Sequence, residues 1–270
     1  MTGASETTAG AFARRYDSVM VPVIFQPWAR ELIARAAPKD GEDILDLACG
    51  TGAVTRELIA TGRRFGSLTG ADMSNDMLSV ARETTGATGI EARFVQALAG
   101  ELPFPDHSFD VAFCQQALQF FPDRHAALTD LRRVLRPGGR VAFCVTTGLE
   151  ENPLLQAQAE ALEHFAGPEA GRAVRAICGL VGGDRIRTLF DEAGFSNIRV
   201  ERVGLMLHHP DGRAYAEGAM GGMHTGDKLS SLDRASRNAC FELFLDRMGG
   251  CFDGKAIRFP HVSNVVTAQR

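Results

Sequence analysis

The chain has 270 residues, 45% of them hydrophobic and 23% charged, a balance typical of a soluble globular protein long enough to bury a full core. Its net charge of -4 gives no electrostatic reason to expect a nucleic acid or an anionic membrane as partner. No uninterrupted apolar window of about 18 residues occurs, and the opening MTGASETTAG lacks the basic and apolar regions of a signal peptide. The expectation is a cytoplasmic protein without a membrane span.

In chain order, residues 1–10 read as a flexible tail. Within 11–37, Pro27 suits a first helical position, and Trp28, Leu32 and Ala36 recur down one face. Glu31 and Arg35 form an exposed i, i+4 pair and Pro38 stops the helix; this helix is expected to cover a ligand crevice. EDILDLACGTGAVT, residues 42–55, reads as a buried strand ending in Asp46, a glycine turn and a helix start. Asp46 stands near the carboxyl end of the strand, where a doubly wound sheet holds its ligand. Gly50 and Gly52 allow backbone conformations closed to other residues and let a ligand approach the peptide plane. G-x-G alone is equally the mark of a plain turn. A dinucleotide fingerprint would place a small residue three positions after Gly52, where this chain has Thr55. A ligand with an adenosine and a short amino-acid tail, without phosphate, fits better.

Leu68–Ala71 form a second strand ended by Asp72, 20 residues beyond Gly52, close to the spacing of an acid that accepts from ribose hydroxyls. Ser74 can cap the following helix and Asp76 complements its amino end; taken alone, Asp72 could equally belong to that cap. A helix over 77–85 and a third strand, IEARFVQ at 90–96, follow. The fourth strand, FDVAFC at 109–114, leads into QQALQFFPD, where Gln115 and Gln119 share a face if the segment is helical; otherwise both are solvated turn residues. Asp123 caps a helix whose Leu128, Leu131 and Leu135 face the sheet, and Pro137-Gly138-Gly139 turns into a fifth strand, RVAFCV. Residues 147–182 interrupt the pattern with helices over 153–165 and 169–178, a natural lid. Helix 184–193 and strand IRVERV, 198–203, resume it. Residues 204–225 carry His208, His209 and His224, with Gly221-Gly222 breaking any helix between them. An amphipathic helix over 227–248 and a last strand within 259–268 complete the chain. Six cysteines without C-x-x-C spacing are expected to be buried reduced thiols.

ILDLACGTGAVT, ADMSNDML, LPFPDHSFDVAFCQQALQFFPD and LRRVLRPGGRVAF, in that order and spacing, resemble the class I S-adenosylmethionine-dependent methyltransferases. The resemblance is closest to the small-molecule branch related to ubiquinone and menaquinone methyltransferases, and strongest over residues 12–146. It implies an α/β, Rossmann-like sheet of seven strands, the last inserted antiparallel beside the fifth. Helices flank the sheet, with a helical cap drawn from 11–37, 147–182 and 204–250 of a methyltransferase domain spanning 11–270. The implied cofactor is S-adenosylmethionine and the product S-adenosylhomocysteine. The implied cofactor contacts are Tyr16, Asp46, Ala48, Gly50, Gly52, Asp72, Met73, Met77, Leu98, Ala99 and the Gln115 backbone, with Gln119 on the substrate side. Tyr16 could instead be amphipathic packing. Leu98 departs from the acid the family usually places after the third strand, leaving adenine to backbone groups and apolar stacking.

Methyl transfer from a sulfonium is an in-line displacement, so the protein mainly supplies alignment and a dry pocket. A hydroxyl acceptor would call for a base, with His164 and His224 as candidates, though each single histidine has an ordinary surface or core reading. No acidic cluster suggests a metal, and HHPD at 208–211 reads as a turn. Two functions remain: transfer to a small, largely apolar metabolite, or a cofactor-binding member that does not methylate, such as a cyclisation catalyst. A nicotinamide dehydrogenase is disfavoured by Thr55.

Overall fold

A computed structural model describes residues 8–86, 91–220, 229 and 231–270. Short apolar runs become strands at Asp43–Leu47 (β1), Ser67–Asp72 (β2), Arg93–Gln96 (β3) and Phe109–Gln115 (β4). Longer ones follow at Leu135–Thr146 (β5), Ser196–His209 (β6) and Ile257–Gln269 (β7). The sheet has seven strands in the order β3-β2-β1-β4-β5-β7-β6. β1 pairs in parallel with β2 and β4, Leu45 lying between Thr69 and Ala112. β7 runs antiparallel to β5, with Cys144 opposite Val265. This is the Rossmann-like arrangement with an inserted antiparallel last strand that the resemblance implied.

The central strands read as continuous apolar runs because both of their faces are covered. Leu45, Val111, Ala112, Phe113 and Phe143 are fully buried. The crossover helices are Ala53–Ala60, Asn75–Gly86, Arg124–Val134 and Gly183–Glu192. Asp123 caps the third of these, its carboxylate accepting from the Ala126 amide at 2.9 Å. Phe190 of the fourth meets Phe143 edge-to-face at 5.1 Å, a geometry worth more than burial alone.

The chain folds into two compact units. One holds Phe25–Gly148, Ile177–Leu205 and Val262–Arg270; the other holds the described residues of Met1–Ile24, Leu149–Ala176 and Met206–His261. In the second, Pro153–Ala166 packs against Pro168–Arg175 and Arg234–Arg247, and Arg234–Arg247 also against Gly212–Met220. Leu154, Leu162, Cys240 and Phe244 are buried within it. Among the described residues no helix is long and apolar enough to cross a membrane.

Several local expectations change. Residues 8–10, read as tail, begin a helix, Thr8–Arg15; 1–7 lie outside the described residues. Gln26–Ala36 starts with Pro27 in its first turn and buries Trp28, Leu32 and Ala36 as expected, but it packs on Ala53–Ala60 and β5 as a layer of the core. Ahead of it, Tyr16–Phe25 winds in wide helical turns around Pro22, which has no amide to donate to an ordinary α-helical bond. Pro137-Gly138-Gly139 is no separate turn. β5 passes through it with a bulge, its pairing with β4 shifting between Phe109–Leu135 and Val111–Arg140. β6 continues to His209, so 204–209, expected as cap, is strand. The late helix is Arg234–Arg247; Gly221-Gly222 fall outside the described residues. All six cysteines are free, four buried and Cys178 and Cys251 half-buried.

Gly70 shows how closely β2 is packed. A Cβ there would lie 2.7 Å from the Phe94 ring and 2.9 Å from Cys49 Sγ. Gly70→Ala should therefore destabilise the protein by about 1–3 kcal/mol through overpacking, read as a lowered urea midpoint with an unchanged slope.

Candidate functional site

The carboxyl ends of β1 to β4 carry most of the residues singled out from the sequence. After Leu47 the chain reverses through Ala48 (φ 54°), Gly50 (φ 54°) and Gly52 (φ 84°) into Ala53–Ala60. Only glycine takes this left-handed region freely, so Ala48 carries strain that its surroundings must hold. The Cys49 amide donates to the Ala71 carbonyl at 3.1 Å, tying the turn to the end of β2.

Two carboxylates hold the turn from different sides. Asp46 Oδ2 accepts from the Thr55 amide at 3.1 Å and the Thr55 hydroxyl at 2.8 Å. It is 2% exposed, and it acts from the strand on the first helical turn rather than standing open as a ligand contact. Burial pushes its carboxyl up to about 7, against the opposing pull of the two Thr55 bonds. Asp72 Oδ2 accepts from the Gly50 amide at 2.8 Å and Oδ1 from the Ser74 amide at 2.8 Å. Burial raises its carboxyl above the usual carboxylate range, and these amides oppose the rise. An ionised carboxylate has about four acceptor sites, so these two bonds leave room for a ligand's hydroxyls.

Beside Asp72 the chain presents an apolar wall. Met73 is 67% and Leu98 50% exposed, with Met77 and Ala99 half-buried. The backbone under it is stitched: Gln96 Nε2 donates to Met73 O at 3.0 Å, Asn75 Nδ2 to Gln96 Oε1 at 2.8 Å, and the Ala97 amide to Asp72 O at 3.0 Å.

At the end of β4, Gln115 and Gln119 do not share a helical face. Gln115 is the last strand residue, Gln116 turns the chain at φ 53°, and only Leu118–Phe120 is helical. Both side chains are buried, neither solvated: Gln115 Nε2 donates to Phe25 O at 2.7 Å and Gln119 Nε2 to Gln116 O at 3.2 Å. Neither Oε1 has a partner. Gln116, which no sequence signal separated from its neighbour, anchors this corner. Its Nε2 donates to Ser263 Oγ at 2.8 Å, and its Oε1 accepts from Thr146 Oγ1 at 2.7 Å.

The remaining candidates belong to the other unit. Tyr16 opens the wide helical turns and lies tilted to Phe12, ring centroids 6.2 Å apart. His164 is exposed in the last turn of Pro153–Ala166, edge-on to Phe165. His209 Nδ1 accepts from the Asp211 amide in a local turn at 3.1 Å. His224 lies outside the described residues. A histidine that sequence reasoning passed over, His261, is buried, which pushes its pKa down to about 4 and disfavours protonation at neutral pH.

A strand, a glycine turn held by two carboxylates and an inserted antiparallel strand together define a methyltransferase-type α/β domain. A family model described as Methyltransferase domain matches residues 45–143. Demethylmenaquinone methyltransferase of Staphylococcus aureus (strain JH9) is 30% identical over 202 residues, covering 70% of this chain and 83% of that protein. Among solved structures, Haemonchus contortus phosphoethanolamine N-methyltransferase 2, in complex with S-adenosyl-L-methionine, superposes with a TM-score of 0.62 at 19% identity, over 97% of this chain and 57% of that one. The [4+2]-cyclase SpnF superposes with a TM-score of 0.59 at 18% identity, over 91% of this chain and 80% of that one. The chain belongs to the class I S-adenosylmethionine-dependent methyltransferases, enzymes whose cofactor is S-adenosylmethionine.

The raised Asp46 carboxyl makes stability depend on pH. Its ordinary value is 3.8 and its folded value about 7, so between these the native state holds a proton that the unfolded chain has lost. Stability from this group is therefore present at low pH, falls as pH rises through the window and levels off above about 7. Relative to Asp46→Asn, the wild type should lose roughly 2 kcal/mol between pH 5 and 7.5, measured by urea unfolding at both pH values.

Proposed function

We propose that this enzyme transfers a methyl group from S-adenosylmethionine to O, N or C of a small, largely apolar metabolite, such as a quinone precursor or a bacterial secondary metabolite, in the cytoplasm. The observation that carries the reading is Asp72, anchored by the Gly50 and Ser74 amides with acceptor capacity left over beside a glycine turn. In this reading Asp72 takes the ribose hydroxyls, and Gly50 and Gly52 let the turn approach the ligand. Met73, Met77, Leu98 and Ala99 form the adenine wall, and Asp46 and Ala48 keep the turn in shape. When bound, the cofactor supplies an electrophilic methyl group on a sulfonium, open to in-line displacement.

The chain's own contribution is alignment and exclusion of water, and correct positioning alone can be worth about 7–11 kcal/mol. Gln119 is the substrate-side candidate on the sheet, its buried Oε1 free to accept from a hydroxyl or amine of the acceptor. His164 and His224 remain candidate bases for a hydroxyl acceptor, and Tyr16 a candidate cofactor contact. The menaquinone-pathway name of the 30% identical relative supports an apolar acceptor. A fold that also serves a [4+2]-cyclase keeps a non-methylating role as the second reading, because fold does not fix function.

Calorimetric titration should show micromolar binding of S-adenosylmethionine and S-adenosylhomocysteine and none of NADH. Asp72→Ala should weaken both sulfur ligands at least about 30-fold, as expected for lost hydrogen bonds to a charged group. Formation of S-adenosylhomocysteine from a panel of hydroxylated aromatics would distinguish transfer from cofactor binding alone. Binding of NADH in place of the sulfur ligands would end the methyltransferase reading.

A further inference from the structure

The strand order places the topological switch point between β1 and β4, because β1 connects to β2 on one side while β4 begins the other half of the sheet. A ligand of an open α/β sheet lies across that point, outside the carboxyl ends of the strands. Asp72 and the glycine turn stand on the β1–β2 side. On the other side, at the last residue of β4, stands Gln115.

The orientation of the Gln115 amide is settled by its partner. Phe25 O, 2.7 Å away, is a carbonyl and can only accept, so the nitrogen must face it and the oxygen must be the free end. That oxygen is buried without a partner in a residue 9% exposed. Buried polar atoms are nearly always satisfied, so an unmet acceptor beside a ligand crevice calls for a donor from the ligand.

S-Adenosylmethionine has few donors. Its ribose hydroxyls and adenine amino group belong to the nucleoside half, which the proposed reading places at Asp72 and the apolar wall. The methionine half has one, the α-ammonium; its carboxylate only accepts. We propose that Gln115 Oε1 accepts a hydrogen bond from the α-ammonium of the cofactor, making this side chain a determinant of recognition for the amino-acid tail. The assignment rests on the cofactor reading above.

The test compares three ligands by calorimetry on the wild type and Gln115→Met, which keeps the length of the side chain and removes the amide. S-Adenosylhomocysteine carries the whole tail, its des-amino analogue keeps only the carboxylate, and 5′-methylthioadenosine lacks the tail. The variant should bind S-adenosylhomocysteine roughly 10- to 100-fold more weakly, as for a hydrogen bond to a charged group. The other two ligands should change less than about twofold, because they lack the ammonium. Equal weakening of all three would assign Gln115 a structural role through Phe25 and overturn the proposal, as would an unchanged affinity for S-adenosylhomocysteine. Weakening shared by the des-amino analogue would point to the carboxylate and overturn it too. If the wild type binds none of the three, the cofactor reading falls and takes this assignment with it; any of the other adverse results removes this assignment alone.

Discussion

The turn after β1 is the constraint on which the rest of the sheet-bearing unit depends. Three residues in left-handed conformations within five positions, one of them an alanine, are not a resting state for a chain. They persist because Asp46 holds the far side of the turn through Thr55 and Asp72 holds the near side through the Gly50 amide. The first bond sets where Ala53–Ala60 begins, and the second sets how far β1 and β2 stand apart at their carboxyl ends. A ligand entering there meets amides and a carboxylate already in place, so the cost of ordering them is met during folding rather than binding.

The two acids share a location and differ in role because their surroundings differ. Asp46 is enclosed, and the nearby Asp72 charge adds to the burial that raises its pKa. Asp72 is held by backbone amides that favour its ionised form. The charge at the sheet edge therefore sits mainly on Asp72, where hydroxyl donors can reach it, while Asp46 is poised close to neutrality at physiological pH. A cation bound at this edge would favour ionisation of both.

Much of this was legible in the chain itself. The apolar run, Asp46, Gly50, Gly52 and Asp72 mark the crevice because strand, turn and acid each leave a local pattern, and the Asp123 cap follows the same logic. The antiparallel last strand was available only through the family resemblance, since nothing local in FPHVSNVVTA sets its direction. Asp46 was misread as an open ligand contact because Thr55 registered only as the wrong residue for a dinucleotide fingerprint, although its hydroxyl and amide are what the acid binds. Gln115 and Gln119 suggested a helical face through their spacing, but Gln116, pinned by Thr146 and Ser263 from β5 and β7, breaks the chain between them. Contacts of that range, across more than a hundred residues for Ser263, have no signature in a local window. The bulge at Pro137-Gly138-Gly139 shows the same limit, since a turn motif and a bulge use the same residues.

A neutral amide at the end of β4 also makes electrostatic sense. A third carboxylate facing this crevice would add like charge to a pair whose pKa values already rise with burial, pushing one of the acids toward its protonated form. If Asp72 were the one to neutralise, it would lose strength as an acceptor at the position where hydroxyl recognition is needed. An amide oxygen offers a cation a hydrogen bond and a dipole without that penalty, and its nitrogen, fixed on Phe25 O, keeps it from turning away. The arrangement thus separates two tasks that a row of acids would confuse. Net charge stays with Asp72, and directional acceptance of a positive group falls to a side chain that cannot titrate.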